Sequence, residues 1–224
     1  MPLKELNFPI TEYAIPGEIS SYLREADLRI DRFRFENDLP GFVCSDFERV
    51  FQGLRTIDEE NLSSGTCFCE WGSGFGVVAG MASMLEFSAY GIEIERELVD
   101  AASELSVDFE LPVDFACGSF IPEGAGSLAD SVNEFNWLVM GHGNGYEELD
   151  LGPEDFDLFF AYPWPGEDDL FRDIFDKFAA SGALLMTYHG LDDLKLRRKV
   201  QINKALAPPA LPSRDALRTA YGVR

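Results

Sequence analysis

Residues 70–76 read Glu70-Trp71-Gly72-Ser73-Gly74-Phe75-Gly76, and Gly91-Ile92-Glu93 follows further along the chain. An apolar run at 66–69 ends at the first acid, and alternating glycines come directly after it. A helix-like segment and a second apolar run follow, and the second run also ends in an acid. This order predicts one strand–turn–helix–strand unit of an α/β domain.

The three glycines have a physical reason to stand in this turn. A ligand that lies against the backbone needs residues without a Cβ atom, and a tight turn needs unusual φ and ψ angles. Glu93 comes 23 residues after Glu70, at the end of the neighbouring strand. There its carboxylate can accept hydrogen bonds from both hydroxyls of a ribose. Because ligands of open parallel sheets bind at the carboxyl ends of the strands, the pattern predicts a site for a nucleoside-type ligand.

The chain around this unit alternates between strand and helix patterns. Strands are predicted at 66–71, 89–94, 113–117, 156–162 and 183–188. Helices are predicted at 19–35, 45–54, 75–87, 95–106 and 167–180, with Ser45 as the N-cap of the second and Glu48 completing a capping box. The alternation predicts a parallel sheet with helices on both sides.

Two segments do not follow this alternation. We interpret 122–155 as a long crossover with one helix at 127–139 and a loop at 141–145, and 192–204 as a helix. These patterns divide a single domain into an N-terminal helical cap (1–65), a cofactor-binding core (66–190), and a basic C-terminal helix and tail (191–224).

The charge of the chain is strongly unbalanced. Its formal net charge is −22, and residues 97–171 contain 18 Asp and Glu but no Lys or Arg. Residues 193–224 contain 8 Lys or Arg against 2 Asp, so this part is a solvated helix, or it binds the acidic body of the same chain or a partner. The acidic body should repel nucleic-acid phosphates.

The remaining composition points to a cytoplasmic protein without a bound metal. We expect no membrane span, because no apolar run is long enough, and no secretory signal, because residues 1–20 lack its pattern. Two histidines are too few for a His-rich zinc site, and the cysteines fit free thiols. These cysteines are Cys44, Cys67, Cys69 and Cys117.

The glycine turn and the two strand-end acids resemble the class I S-adenosylmethionine-dependent methyltransferases. Their first motif is an acid, one residue and G-x-G-x-G, matched at 70–76, and their second is an acid that ends strand two, matched at Glu93. The resemblance covers about 66–188. It implies a three-layer Rossmann-like sandwich with a mainly parallel sheet. The family's sixth strand and antiparallel seventh cannot be placed, apart from a fragment near 220–224, so either the sheet is shortened or the chain is a truncated form.

The same resemblance implies S-adenosylmethionine (SAM) as the cofactor. The glycine turn would cradle the methionine part, Glu70 would face the methionine amino group, and Glu93 would bind the ribose. Ser119 stands where the family usually has an Asp near the adenine amino group, so we expect adenine to be held by Ser119, backbone groups and packing on Phe120. The implied cofactor contacts are Glu70, Gly72, Ser73, Gly74, Phe75, Gly76, Glu93, Ile94, Gly118, Ser119 and Phe120.

Residues 161–167 stand where the family places its substrate-facing motif. Tyr162 and Trp164 are expected either to wall a pocket for a flat or cationic acceptor or to form a structural turn. Tyr162, Glu167 and His189 follow predicted strand ends, so they are the candidate catalytic residues. His189 is a candidate general base or a loop histidine with a backbone partner, and His142 is expected on the surface.

Three functions remain open from the sequence. The first is methyl transfer from SAM to a small-molecule or protein acceptor, with an amine or a protein side chain favoured by the acidic charge. The second is a catalytically inactive binding module, which the Ser119 substitution and the unplaced last strands suggest. The third is a nicotinamide enzyme, because residues 74–79 satisfy G-x-G-x-x-A, although in that register the strand does not run directly into the first glycine.

Overall fold

Seven strands form one mixed sheet in the computed structural model, which describes residues 3–37, 39, 41–125, 143–191 and 193–200. The strands are β1 (Leu3–Glu5), β2 (Cys67–Trp71), β3 (Ser88–Glu93), β4 (Val113–Cys117), β5 (Leu158–Ala161), β6 (Leu184–Tyr188) and β7 (Leu194–Lys199). Their order across the sheet is β1-β7-β6-β5-β2-β3-β4. Strands β2 to β6 are mutually parallel, while β7 runs antiparallel to both β6 and β1.

Helices cover both faces of this sheet. They are α1 (Gly17–Glu36), α2 (Phe47–Glu59), α3 (Val77–Met84), α4 (Arg96–Asp108), α5 (Gly145–Leu149) and α6 (Asp168–Phe178), with a 3-10 turn at Pro153–Asp155. Phe68 and Phe160 pack in one core with α1 to α4, whereas Trp71 and Phe159 pack in a second core with α5 and α6. This alternation is the two-residue period of strands buried on both faces.

The architecture is therefore the Rossmann-like three-layer sandwich that the sequence predicts. The strands and helices predicted at 66–117 and 156–188 are found with boundaries shifted by a few residues at most. The helix predicted at 19–35 is α1. Cys67 and Cys69 contact the same core, as the strand period requires. The helix predicted at 127–139, Gly141, His142 and the fragment at 220–224 lie outside the described residues.

The helix predicted at 192–204 is wrong over residues 194–199, and residues 192 and 201–204 lie outside the described part of the chain. Residues 194–199 form β7, which pairs along its whole length with β6. Its cationic side chains obscured a strand pattern, because they reach polar partners while their stems remain buried. Arg197 is 6% exposed and its guanidinium donates to Asp168, and the Lys199 ammonium is buried and donates to the Ala179 carbonyl.

The expectation of a shortened sheet is also corrected. The antiparallel strand is β7, and the outermost position beside it is taken by β1 from the other end of the chain, with Leu3 opposite Lys199 and Glu5 opposite Arg197. A three-residue strand carries too little pattern to be recognised in a sequence. The sheet thus has seven strands, and β1 and β7 come from the segments predicted as an N-terminal cap and a C-terminal tail.

The start of α2 lies one residue later than predicted. Asp46, not Ser45, is the N-cap, and its carboxylate accepts a hydrogen bond from the Arg49 N–H at 2.9 Å. Both residues are good N-caps, and the sequence pattern does not separate neighbouring candidates. Within the described part of the chain, the structure contains no helix with the length and apolar character needed to span a membrane.

Candidate functional site

A cavity lies at the carboxyl ends of β2, β3 and β5. Its floor comes from the glycine turn, and its roof comes from the segment between α1 and α2. Four acidic side chains line it, and the described lining contains no Lys, Arg or His. These acids are Glu70, Glu93, Glu95 and Glu167. Each of these acids that is ionised contributes negative potential at the site, which favours a cationic ligand.

The glycine turn is held in place by the end of β3. Gly72, Gly74 and Gly76 all have positive φ, between +52° and +68°. The N–H groups of Gly72 and Ser73 donate to the Ile92 carbonyl at 2.9 and 3.1 Å. A Cβ atom on Gly74 would lie 2.8 Å from the Phe42 ring. Positive φ and close packing together explain why this position carries no side chain.

Glu93 ties the turn to its strand through three backbone hydrogen bonds. Its Oε2 accepts from Gly74 N–H at 2.8 Å, and its Oε1 accepts from the N–H groups of Ile94 at 2.7 Å and Glu95 at 3.1 Å. Burial raises the pKa of Glu93, and these hydrogen bonds oppose the rise. Because each carboxylate oxygen offers two lone pairs, Oε2 keeps acceptor capacity toward the cavity.

Glu70 takes the place of a missing cap on α3. The N-cap of that helix is Gly76, which has no side chain, and the Glu70 Oε2 accepts from the Ala79 N–H at 2.8 Å instead. Glu70 is 5% exposed, and burial raises its pKa well above the ordinary value. The nearby Glu93 raises it further, whereas the Ala79 hydrogen bond lowers it.

An aromatic cap, formed by Phe33, Phe42 and Phe75, covers the turn. Phe42 stacks on Phe75 with a centroid distance of 5.6 Å, and Phe33 meets Phe75 edge-on at 5.2 Å. The Arg34 guanidinium lies 5.1 Å from the Phe42 ring centroid, on the outside of the cap. Phe42, in the segment before α2, therefore contacts the glycine turn directly.

The segment after β4 contributes only part of what was predicted. Gly118 and Phe120 line the cavity together with Ile94. Ser119 is buried outside the described lining, and its hydroxyl accepts from the Ile121 N–H at 3.1 Å. Phe120 stacks on Trp71 at 5.2 Å, which gives this end of the cavity a flat apolar wall.

The loop after β5 forms the opposite wall. Tyr162, Trp164 and Glu167 line the cavity, and Trp164 is 43% exposed at its rim. The loop is closed by two hydrogen bonds between Trp164 and Glu167. The Trp164 N–H donates to the Glu167 Oε2 at 2.9 Å, and the Glu167 N–H donates to the Trp164 carbonyl at 2.9 Å.

His189 is not brought into the cavity. Its Nε2 lies 2.8 Å from the Thr187 Oγ1 and 3.5 Å from the Asp168 Oδ1, in a polar cluster that also holds Arg197. Burial lowers the pKa of His189, and Lys195 lowers it further, while Asp168 opposes both. This histidine has a side-chain partner next to the site and does not belong to the described lining.

Several lining residues were not predicted. Trp71, Glu95 and Phe171 have clear sequence signals in retrospect, since each lies one to four residues from a predicted site residue on a strand end or a helix start. Leu39 has no such signal, because its place depends on how the α1–α2 connection folds over the sheet. All the candidate cofactor residues except Gly76 and Ser119 lie in the lining.

Comparison with known sequences finds no matching family model and a partial match to a curated protein. A curated protein described as a probable phosphoglycerate kinase from Caenorhabditis elegans is 34% identical over 103 residues. The match covers 43% of this chain and 23% of that protein, so the chain spans about a quarter of the length of the relative.

Comparison with solved structures finds methyltransferases. An RNA methyltransferase from Salinibacter ruber in complex with S-adenosylhomocysteine (SAH) is 13% identical, with a TM-score of 0.47 over 73% of this chain and 97% of that chain. An O-methyltransferase from Bacillus cereus, also in complex with SAH, is 13% identical. Its TM-score is 0.48, and the match covers 78% of this chain and 66% of that chain. The chain's own strand order gives the mainly parallel sheet, with the antiparallel strand β7 beside β6.

Proposed function

We propose that the chain is a SAM-dependent methyltransferase whose acceptor is an amine or a protein side chain. The observation that carries this proposal is the acidic cavity over the glycine turn, with four carboxylates and no basic residue in its described lining. SAM bears a sulfonium and an ammonium group, so its positive charge complements this lining. When bound, it supplies an electrophilic methyl group.

The residues present fit this cofactor. Glu70 and Glu93 are buried acids on the cavity side of two adjacent strand ends, where one can face an amino group and the other a ribose hydroxyl. The flat wall of Trp71 and Phe120 suits a purine ring. The aromatic cap excludes water from the turn, which strengthens every electrostatic contact beneath it.

The turn fits a dinucleotide poorly. A pyrophosphate binds to free N–H groups at a helix N-terminus. Here the N–H groups of Gly72, Ser73, Gly74 and Gly76 donate to chain acceptors, and that of Ala79 donates to Glu70. A phosphate would also meet the negative charge of Glu93. The same argument disfavours phosphoryl transfer, the activity named for the Caenorhabditis elegans relative.

Calorimetric titration of the purified chain with SAM, SAH and NAD tests the proposal. We expect micromolar binding of SAM and SAH and none of NAD. Absence of binding by SAM and SAH would overturn the proposal, and binding of NAD alone would favour the nicotinamide enzyme.

A transfer assay with methyl-labelled SAM tests the acceptor class. The panel contains small amines, basic peptides, bulk protein and bulk RNA. Label on amines or protein supports the proposal. Label on RNA alone would overturn the acceptor class, and binding without transfer to any acceptor would favour the inactive module.

A further inference from the structure

We propose that Glu167 is a catalytic residue whose carboxylate binds the nitrogen of a primary or secondary amine acceptor and takes a proton from it. This inference rests on the proposed function and names the substrate class and the group that recognises it. It concerns the part of the cavity formed by the loop after β5 and the start of α6.

Glu167 combines burial with an unused acceptor atom. The residue is 1% exposed, and its Oε1 is buried with no hydrogen-bond partner among the described residues. Its Oε2 is occupied by the Trp164 N–H. A buried oxygen without a donor is costly, and a donor supplied by a ligand in the same cavity removes that cost.

The surroundings of Glu167 select a cation as that donor. Tyr162, Trp164 and Phe171 stand in the same lining and present aromatic surface. An ammonium group is attracted both to aromatic faces and to carboxylates, whereas an anionic acceptor is attracted to neither. A neutral alcohol can donate one hydrogen bond to Oε1 but has no charge to complement the four acids. The combination therefore favours an alkylammonium group over an alcohol or a carboxylate.

Glu167 is needed because the acceptor must lose a proton before it can react. An ammonium acceptor has no lone pair until it loses a proton, and the Glu167 carboxylate takes it. The amine nitrogen then forms a bond to the methyl carbon while the bond from that carbon to sulfur breaks, and the bonding electron pair stays on sulfur. The product is a methylated ammonium, and the proton on Glu167 leaves to solvent. Burial raises the pKa of Glu167, which makes its carboxylate a stronger base.

Binding measurements on the full chain test this assignment separately from the activity. The probes are n-butylammonium, n-butanol and butyrate, titrated calorimetrically into the chain alone and into the chain saturated with SAH. Glu167→Gln keeps an oxygen for the Trp164 N–H and removes the charge. Asp169→Asn is the matched control, because it removes one charge from the first turn of the same helix, where the Asp169 side chain is 87% exposed.

We expect n-butylammonium to bind at least tenfold more tightly than n-butanol, and butyrate not to bind. Glu167→Gln should weaken the binding of n-butylammonium at least tenfold, while Asp169→Asn should leave this binding unchanged. Equal binding of n-butylammonium and n-butanol to the wild-type chain would overturn the inference without any variant. If SAH binds and n-butylammonium does not, the inference fails and the proposed function stands. If n-butylammonium binds through Glu167 but SAM and SAH do not bind, the ammonium site stands and the proposed function fails.

Discussion

Glu70 and Glu93 each serve two purposes at the level of single residues. Each accepts backbone hydrogen bonds that shape the glycine turn, and each also lines the cavity. Burying two carboxylates near one another is unfavourable. A cationic ligand placed between them offsets this cost, so the same geometry that strains the free chain favours binding.

Glu93→Ala should weaken SAH binding by about tenfold, or ~1.4 kcal/mol, because the ribose loses an acceptor and Gly74 loses its tether. Calorimetry on the variant measures this loss. Glu97→Ala is the matched control, since it removes the same charge from an exposed position four residues away. An unchanged dissociation constant for Glu93→Ala would show that the ribose is held elsewhere.

Glu70→Gln should make the stability of the chain less dependent on pH. Burial raises the pKa of Glu70, so between its unfolded and folded pKa values the folded state binds more protons. The free energy of unfolding therefore falls as pH rises through this window. Urea unfolding measures this free energy at about pH 5 and about pH 8, and it should decrease more for the wild type than for Glu70→Gln. The amide oxygen of the variant still accepts the hydrogen bond from the Ala79 N–H.

The exposed substitution Glu97→Gln serves as the control for that comparison and should keep the wild-type pH dependence. Parallel pH profiles for the wild type and Glu70→Gln would mean that Glu70 titrates alike in the folded and unfolded chain. Its burial beneath α3 would then have no effect on the protonation equilibrium.

At the level of elements, α2 positions the roof of the cavity and depends on its first turn. Asp46→Ala removes the N-cap carboxylate from the Arg49 N–H and should cost about 1 kcal/mol of unfolding free energy. Ser45→Ala should cost less than about 0.5 kcal/mol, since Ser45 lies outside the helix end. Urea denaturation of both variants distinguishes the two residues, and the reverse ranking would restore the cap expected from the sequence.

Elements were predictable where local pattern and tertiary role agree. β2, α3 and β3 combine apolar runs, a glycine turn and strand-end acids, so the site floor could be located from the sequence alone. β7 could not, because Arg197 and Lys199 are buried by partners that lie in α6 and beyond it. The position of Phe42 over Gly74 was not predictable either, since it is set by packing between distant segments.

Considered as a whole molecule, the chain concentrates negative charge around and inside its site. A net charge of −22 attracts cationic ligands at a distance, and the four carboxylates of the cavity continue that attraction at contact. The same charge opposes folding through self-repulsion. The charge of the whole chain and the acids of the cavity thus both favour a cationic acceptor. The self-repulsion should be measurable as a lower stability at low salt.

The midpoint of thermal unfolding should rise by about 2–4 °C when NaCl increases from about 0.05 M to about 0.5 M, because screening weakens the repulsion among the excess acids. Differential scanning calorimetry measures the shift, with sucrose at equal osmolality as the control for non-ionic solvent effects. Ion pairs such as Arg29–Asp108 and Arg172–Asp169 are partly exposed, so salt weakens them as well. The net charge of −22 leaves many acids without a basic counterpart, so the repulsion should dominate. A lower midpoint at high salt would instead show that the ion pairs outweigh the repulsion, and the argument from net charge to a cationic acceptor would lose its support.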